Sequence, residues 1–271
     1  MVKNESSGSR YTFGDQGPAS ERLRRLASLY RPLSKGALER ACHACGAPIG
    51  TAIDLGAGPG YTTELVAQIS RAGRVVGYER SAAFCAEARA RIPGSIDFVE
   101  QDVAGVALPI RSVDLAFCRF LLTHLPDPIA TLGYWREALR PGGILVLIEL
   151  ERLSSTDPTL ARYYEIIDGV QAQNGQRMYI GESLEGLARN AGYAIAESRA
   201  VEPGIPAAQM ATLHRPNLDN VRQDPWVKAN FSDTEVDDVA AGLERIAAEQ
   251  DRRTPIENVL RVVLARRDDP A

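Results

Sequence analysis

The chain has 271 residues, 45% of them hydrophobic, which is enough for one large domain or for a domain with a helical cap. Its net charge of −4 argues against a nucleic-acid partner, because phosphate binding favours basic surfaces. The polar N-terminus and the lack of a long apolar run predict neither a secretory signal nor a transmembrane helix, and so favour a cytoplasmic protein.

Two helices are predicted within residues 1–48, which we interpret as an N-terminal helical arm. The first, at 21–30, carries apolar residues on one side and ends before Pro32. The second is expected to begin with Ser34 as its N-cap and to run through Cys45. The basic residues of this segment are interpreted as the solvated face of the two helices: Arg22, Arg24, Arg25, Arg31, Lys35 and Arg40.

Cys42 and Cys45 have the spacing of metal ligands, but a closed zinc site needs four ligands and no second cluster of Cys and His is present. On a helix the two thiols share a face with Leu38 and Ala41, which is typical of a core. No metal site is therefore predicted, and a metal or redox role for the pair stays open as the alternative.

From residue 50 onwards, strands and helices alternate, and the strands are continuously apolar. This pattern predicts an α/β fold with a Rossmann-like, mostly parallel sheet that helices cover on both faces. The predicted strands are 51–55, 74–78, 96–100, 113–118, 144–148, 193–201 and 258–265. The predicted helices between them are 61–70, 81–91, 129–139 and 182–191.

After Glu149 the regular alternation of strands and helices stops. Helical segments are predicted at 157–170, at 207–222 and, from the capping box that begins at Ser232, to about residue 249. We interpret 49–150 as the core and 151–271 as the second half of the sheet, with helical lid insertions at about 151–181 and 203–250.

The most informative pattern is Ile53-Asp54-Leu55-Gly56-Ala57-Gly58-Pro59-Gly60, in which a short apolar run containing an acid leads into a glycine-rich loop. Glycine permits positive φ and leaves no Cβ, so a ligand can lie against the backbone, and the helix that follows offers free N–H groups. The dinucleotide fingerprint G-x-G-x-x-G requires a third Gly at position 61, where Tyr61 stands. The pattern is acidic-x-G-x-G-x-G instead.

This pattern resembles the first motif of the class I S-adenosylmethionine (SAM) methyltransferases, and four more segments in the same order resemble that family. Glu79 ends the second strand, and Asp102 with Val103 follows the third. The fourth strand leads into His124-Leu125-Pro126-Asp127-Pro128, and Pro141-Gly142-Gly143 precedes the fifth. The resemblance covers about residues 50–150. In addition, Tyr11-Thr12-Phe13 ahead of an amphipathic helix resembles the arm of bacterial enzymes that methylate small molecules and natural products.

The resemblance implies SAM as the cofactor and assigns contacts to particular residues. Glu79 would hold the ribose, Arg80 would lie against the adenine, and Asp102 with the backbone of Val103 would bind the adenine edge. Arg119 departs from the family, which often has smaller or amide residues at this position, and Glu79 replaces the usual Asp. The full predicted set is Asp54, Gly56, Ala57, Gly58, Gly60, Glu79, Arg80, Asp102, Val103 and Arg119.

Fewer sequence features indicate the chemistry of the methyl acceptor than indicate the cofactor. His124 is the candidate general base, although it can equally be a structural residue beneath the cofactor. His214 is expected to be solvated on a surface helix, and His43 to be exposed. The aromatic and polar residues of the arm and the insertions are the candidates for the acceptor site or for packing of the lid: Tyr11, Phe13, Tyr30, Tyr164, Tyr179, His214 and Trp226.

The sequence therefore predicts a SAM-dependent methyltransferase that acts on N, O or C of a small molecule in specialised metabolism, without a nucleic-acid or membrane partner. Relatives use a similar N-terminal arm to cover SAM or to reach a neighbouring subunit, so a homo-oligomer is one expectation. The alternatives are an RNA or protein methyltransferase, a SAM-binding protein without turnover, and a nicotinamide-dependent oxidoreductase.

Overall fold

The computed structural model describes residues 17–94, 96–250 and 253–268. Seven strands form one sheet in the order β3-β2-β1-β4-β5-β7-β6, and β7 runs antiparallel to both of its neighbours. The predicted α/β class and the mostly parallel sheet are confirmed. The strands are β1 Thr51–Leu55, β2 Arg74–Glu79, β3 Asp97–Glu100, β4 Val113–Arg119, β5 Leu139–Ser154, β6 Ala194–Val201 and β7 Glu257–Arg266.

The helices precede, alternate with and follow these strands. They are α1 Gly17–Leu29, α2 Arg31–Cys45, α3 Tyr61–Ser70, α4 Ala82–Arg91, α5 Pro128–Ala138, α6 Pro158–Gln173, α7 Leu184–Asn190, α8 Ala207–Val221, α9 Pro225–Asn230 and α10 Asp233–Ala247. Short 3₁₀ turns at Leu122–His124 and Ile180–Ser183 complete the order. None of the helices in the described parts of the chain is long and apolar enough to cross a bilayer.

Alternation along the strands produces two apolar layers, one on each face of the sheet. On β4, Leu115 and Phe117 face one layer, while Ala116 and Cys118 face the other. The first layer lies under α2 and α3 and continues into the insertion helices α6, α8 and α10. The second layer lies under α5 and α7. The insertions are therefore packed against the same face of the sheet as the N-terminal helices.

The structure corrects three details of the sequence interpretation. Ser34 does not cap a helix, because α2 begins at Arg31 and Ser34 lies inside it, fully buried. β5 begins at Leu139, which pairs with Val113, and extends to Ser154 along β7, so it is much longer than 144–148. The short helix α9 was not predicted, and Asp224 caps it by accepting a hydrogen bond from the Trp226 amide at 2.8 Å.

Candidate active site

A cavity of about 700 Å³ opens at the carboxyl ends of β1, β2 and β4. The chain builds β1 to β3 in one direction along the sheet and then returns to build β4 and β5 on the other side of β1. Crevices at such switch points are where open α/β sheets bind ligands, and the volume is in the range of small-molecule sites. Leu23, Leu26 and Ala27 of α1 form part of the opposite wall.

The glycine loop forms the floor of this cavity. Gly56, Gly58 and Gly60 have φ angles of 78°, 52° and 84°, which a residue with a Cβ adopts only with strain. A Cβ on Gly58 would project into open space, with the nearest atom, a Leu23 methyl carbon, 3.6 Å away. Gly60 does not line the cavity; a Cβ there would lie 2.8 Å from the Phe98 ring. The loop therefore fits a ligand against its backbone at Gly58.

Glu79 links the glycine loop to the segment after β2. One carboxylate oxygen accepts a hydrogen bond from the Gly58 amide at 2.9 Å, and the other accepts one from the Ser81 amide at 2.8 Å. Burial raises the pKa of Glu79, and these two hydrogen bonds oppose that rise. The carboxylate is thus held at the cavity wall, where its remaining lone pairs can accept ribose hydroxyls.

Asp54 supports the loop from below. Its side chain is 1% exposed and accepts hydrogen bonds from the hydroxyls of Thr62 and Thr63, both at 2.7 Å. Burial raises its pKa to about 6, against the effect of these hydrogen bonds. Asp54 therefore ties the end of β1 to the first turn of α3 and also reaches the cavity wall.

The segment after β3 contributes the next part of the wall. Asp102 and Val103 both line the cavity, together with Arg80 from the end of β2. One Asp102 oxygen accepts a hydrogen bond from the Ala104 amide at 2.9 Å, so Asp102 also shapes a local turn. The Val103 carbonyl accepts a hydrogen bond from the Trp135 indole at 3.0 Å, which fixes the position of this backbone.

Arg119 closes the cavity at the end of β4. Its guanidinium donates to the Ser34 hydroxyl at 2.9 Å. Burial lowers the pKa of Arg119 to about 10, while the charge of Asp54 opposes that effect, so the side chain is a cation at neutral pH. The next residue, Phe120, has a φ of 55°, a strained value for a bulky side chain and one that is often found at functional sites.

His124 lies on the cavity wall, at the end of the 3₁₀ turn after β4. Burial lowers its pKa to about 4, assisted by the charges of Arg22 and Arg80 and opposed by a hydrogen bond with the Gln176 side chain. The imidazole is therefore neutral at pH 7. A group with so low a pKa is a weak general base, because proton transfer is most efficient when the catalytic pKa is near the working pH.

Most candidates from the arm and the insertions are not on the cavity wall. Tyr30, Tyr164 and His214 are only 2%, 4% and 4% exposed, inside the layer beneath the insertion helices. The interpretation of His214 as a solvated residue is wrong, because its ring stacks on Tyr163 with 4.3 Å between centroids. The position of Arg22 on a solvated face is also wrong, since its side chain is 7% exposed. His43 is exposed, as predicted.

The remaining candidates make packing contacts or lie outside the described residues. Tyr179 donates a hydrogen bond to the Leu153 carbonyl at 3.3 Å. Trp226 packs on Gly169, where a Cβ would come within 1.9 Å of the indole. Cys42 and Cys45 are free thiols whose pKa values burial raises. Tyr11 and Phe13 belong to the part of the arm that the structure does not describe.

Two residues that position His124 were not predicted. Gln176 reaches the cavity from the first insertion and bonds His124, and no local pattern marks it. Glu149 ends the apolar run of β5, and its position after that run was the available signal. One of its oxygens accepts hydrogen bonds from the amides of Leu121 and Leu122, at 2.9 and 2.8 Å. Glu149 therefore fixes the turn that carries His124.

Comparison with known proteins identifies the domain that holds this cavity. Residues 53–147 match a family model described as a methyltransferase domain. An uncharacterized 37.1 kDa protein in transposon TN4556 of Streptomyces fradiae is 35% identical over 155 residues, which are 54% of this chain and 44% of that protein. Trans-aconitate 2-methyltransferase of Rhizobium rhizogenes is 37% identical over 99 residues, 36% of this chain and 38% of that enzyme. The chain thus spans less than half the length of these relatives.

Solved structures share the fold over more of the chain. The cyclase SpnF superposes with a TM-score of 0.57 at 19% identity and covers 87% of this chain and 82% of its own. Phosphoethanolamine N-methyltransferase 2 of Haemonchus contortus, in complex with SAM, gives a TM-score of 0.54 at 18% identity, over 88% of this chain and 53% of that one. The family match and the glycine loop identify residues 53–147 as a SAM-dependent methyltransferase domain, and the solved structures show that it has the class I fold.

Proposed function

We propose that this protein transfers a methyl group from SAM to a nitrogen, oxygen or carbon atom of a small molecule, in specialised metabolism of a bacterium. The observation that carries the proposal is the order of polar groups around one cavity. Asp102 follows β3, Glu79 ends β2, the glycine loop follows β1 and Arg119 ends β4, and all of them line the same wall. This order supports the proposal that the adenosine part of SAM lies across the carboxyl ends of the strands.

The chain's own groups support binding of an adenosine in this orientation. Glu79 offers carboxylate oxygens to a pair of ribose hydroxyls, and the backbone at Gly58 allows close approach. Asp102 offers an acceptor to an exocyclic amine. These contacts would orient the cofactor and exclude water, which are the main requirements of the reaction.

SAM supplies a methyl group that its sulfonium already activates, so transfer is an in-line displacement. The protein needs to hold the acceptor atom opposite the sulfur, and an amine or a poised carbon needs little further help. A phenol or alcohol would need a base near its working pH. The low pKa of His124 argues for the first kind of acceptor, or for one that deprotonates by itself.

A small acceptor is supported by the modest size of the cavity and by relatives that are named for methylation of trans-aconitate, a small acid. The net charge of −4 disfavours a nucleic-acid acceptor. A cytoplasmic location and an oligomer formed through the arm stay predictions.

The proposal is tested by turnover. Purified protein is incubated with SAM and with a panel of amines, phenols, alcohols and small acids, and each product is analysed by mass spectrometry for the gain of one methyl group. S-adenosylhomocysteine should accumulate only in reactions that yield methylated product. Binding of SAM without any methylated product over a broad panel would favour a SAM-binding protein without turnover. Saturation by NAD instead of SAM would favour an oxidoreductase.

A further inference from the structure

The guanidinium of Arg119 is a partly buried cation on the cavity wall for which the chain provides little direct neutralisation. Its one direct hydrogen bond among the described residues goes to a neutral group, the Ser34 hydroxyl at 2.9 Å. Within the described residues, no carboxylate oxygen lies within the 4.0 Å that defines an ion pair. Withdrawing a charge from water is costly without such a partner, even when the withdrawal is partial.

The surroundings of Arg119 keep this cation in position and charged. The guanidinium carbon lies 5.5 Å from the centre of the Phe120 ring and 6.0 Å from that of Tyr30. Aromatic faces at these distances attract a cation without neutralising it. The nearby charge of Asp54 opposes the loss of the proton. Arg119 is therefore a fixed positive group that faces a cavity large enough for a ligand.

The position of Arg119 in the sheet indicates which part of a ligand it would meet. Glu79 ends β2, Asp54 lies in β1 and Arg119 ends β4, so the anionic ribose site and the cation are two strands apart. Neighbouring strands are about 4.8 Å apart, so this separation is about 10 Å. If the ribose lies at Glu79, as the proposed function requires, the far end of the cofactor extends towards β4.

We propose that Arg119 is the carboxylate anchor of this cavity. The chemistry is an Arg–carboxylate pair, for which the planar guanidinium is well suited because it can donate two parallel hydrogen bonds. Two sources can supply the carboxylate: the methionine part of SAM, which the position of Arg119 favours, or an acidic acceptor bound beside it. The proposal rests on the proposed function, and the two sources are separated by experiment.

The donor source is tested by calorimetry with SAM and with decarboxylated SAM, which differ only in the carboxylate. Wild-type protein should prefer SAM by about tenfold to a hundredfold, the usual effect of one charge-assisted hydrogen bond. Arg119→Gln should bind both compounds equally, and Arg119→Lys should keep part of the preference. Arg80→Gln is the matched control: it removes a cation from the same wall on the other side of the ribose site, and should weaken both compounds while preserving the preference.

The acceptor source is tested on protein saturated with S-adenosylhomocysteine, with trans-aconitate as the carboxylate probe. Wild-type protein should bind this probe if the anchor serves the acceptor, and Arg119→Gln should lose at least tenfold in affinity. Equal affinity for SAM and decarboxylated SAM, together with no binding of trans-aconitate that depends on Arg119, would overturn the proposal. If Arg119→Gln fails to fold, Arg119→Lys takes its place, and a preference for SAM that is undiminished in the folded Lys variant would count against Arg119 as the anchor. Wild-type protein that binds neither SAM nor its decarboxylated form would instead overturn the proposed function.

Discussion

Replacing Glu79 by Ala tests the orientation of the cofactor more directly than any other single change. The carboxylate accepts hydrogen bonds from the amides of Gly58 and Ser81 and lies on the cavity wall, at the proposed position of the ribose. A hydrogen bond to a charged group contributes about 1.5–3 kcal/mol. Loss of the ribose contact alone should therefore weaken S-adenosylhomocysteine by about tenfold to a hundredfold, since about 1.4 kcal/mol corresponds to a factor of ten.

The same change should have a smaller effect on the free protein. The two amides that Glu79 leaves behind border an open cavity, where water can replace the lost acceptor. Isothermal titration calorimetry with S-adenosylhomocysteine measures the affinity, and urea unfolding measures the free energy of unfolding. Glu79→Gln should be intermediate, because its amide nitrogen cannot accept a hydrogen bond from a backbone N–H.

Glu100 provides a matched control for this experiment. It pairs with Glu79 across β2 and β3, but it is exposed and does not line the cavity. Glu100→Ala should leave the affinity for S-adenosylhomocysteine within about twofold, inside the usual range of surface substitutions. Unchanged affinity in a folded Glu79→Ala protein would refute the assignment of the ribose site to the end of β2.

Further predictions concern the loop, the imidazole, the buried carboxyl and the arm. Gly58→Val should abolish SAM binding and leave the protein folded, because its side chain would fill the space above the loop; normal affinity in a folded variant would contradict the assignment of the floor. His124→Gln should cost little turnover at saturating SAM, and a loss of about a hundredfold with intact SAM binding would indicate O-methylation with His124 as base. Burial raises the pKa of Glu149 to about 8 from an ordinary 4.5, so the folded protein holds a proton that the unfolded chain has lost. The free energy of unfolding should therefore fall as pH rises between these values, and Glu149→Gln should remove that fall; parallel curves for the two proteins would disprove it. Deletion of residues 1–17 should lower turnover far more than thermal stability if the arm covers the site, and full activity after deletion would exclude that role.

The gathering of the candidate cofactor residues around one cavity could be predicted from the sequence, because local patterns determine where each of them lies. Asp54, the glycine loop and Glu79 each lie at or near the end of a parallel strand, and strand ends meet at one edge of a parallel sheet. Their proximity follows once the strands are recognised. Among the predicted cofactor residues, Gly60 alone is off the wall that the described residues form, because it is packed against Phe98 at the start of α3.

The contacts that join distant segments of the chain could not be predicted from the sequence. Ser34 looked like a helix cap, yet it bonds Arg119, which is 85 positions away in the sequence. His214 looked solvated, yet α8 brings it against Tyr163 of α6. Local periodicity does not indicate which distant residues will be in contact. The aromatic residues of the insertions were therefore compatible both with a binding site and with packing.

The location of β7 has a consequence for the order in which the protein can form during synthesis. β7 follows every other strand in the sequence, yet it lies inside the sheet, between β5 and β6. Until residues 257–266 have left the ribosome, the nascent chain carries β5 with one unpaired edge and β6 without a partner strand. Such edges are sites of association between chains. The strands that carry the cavity residues, β1, β2 and β4, precede β7 in the sequence and do not pair with it, so their pairing does not require residues 257–266.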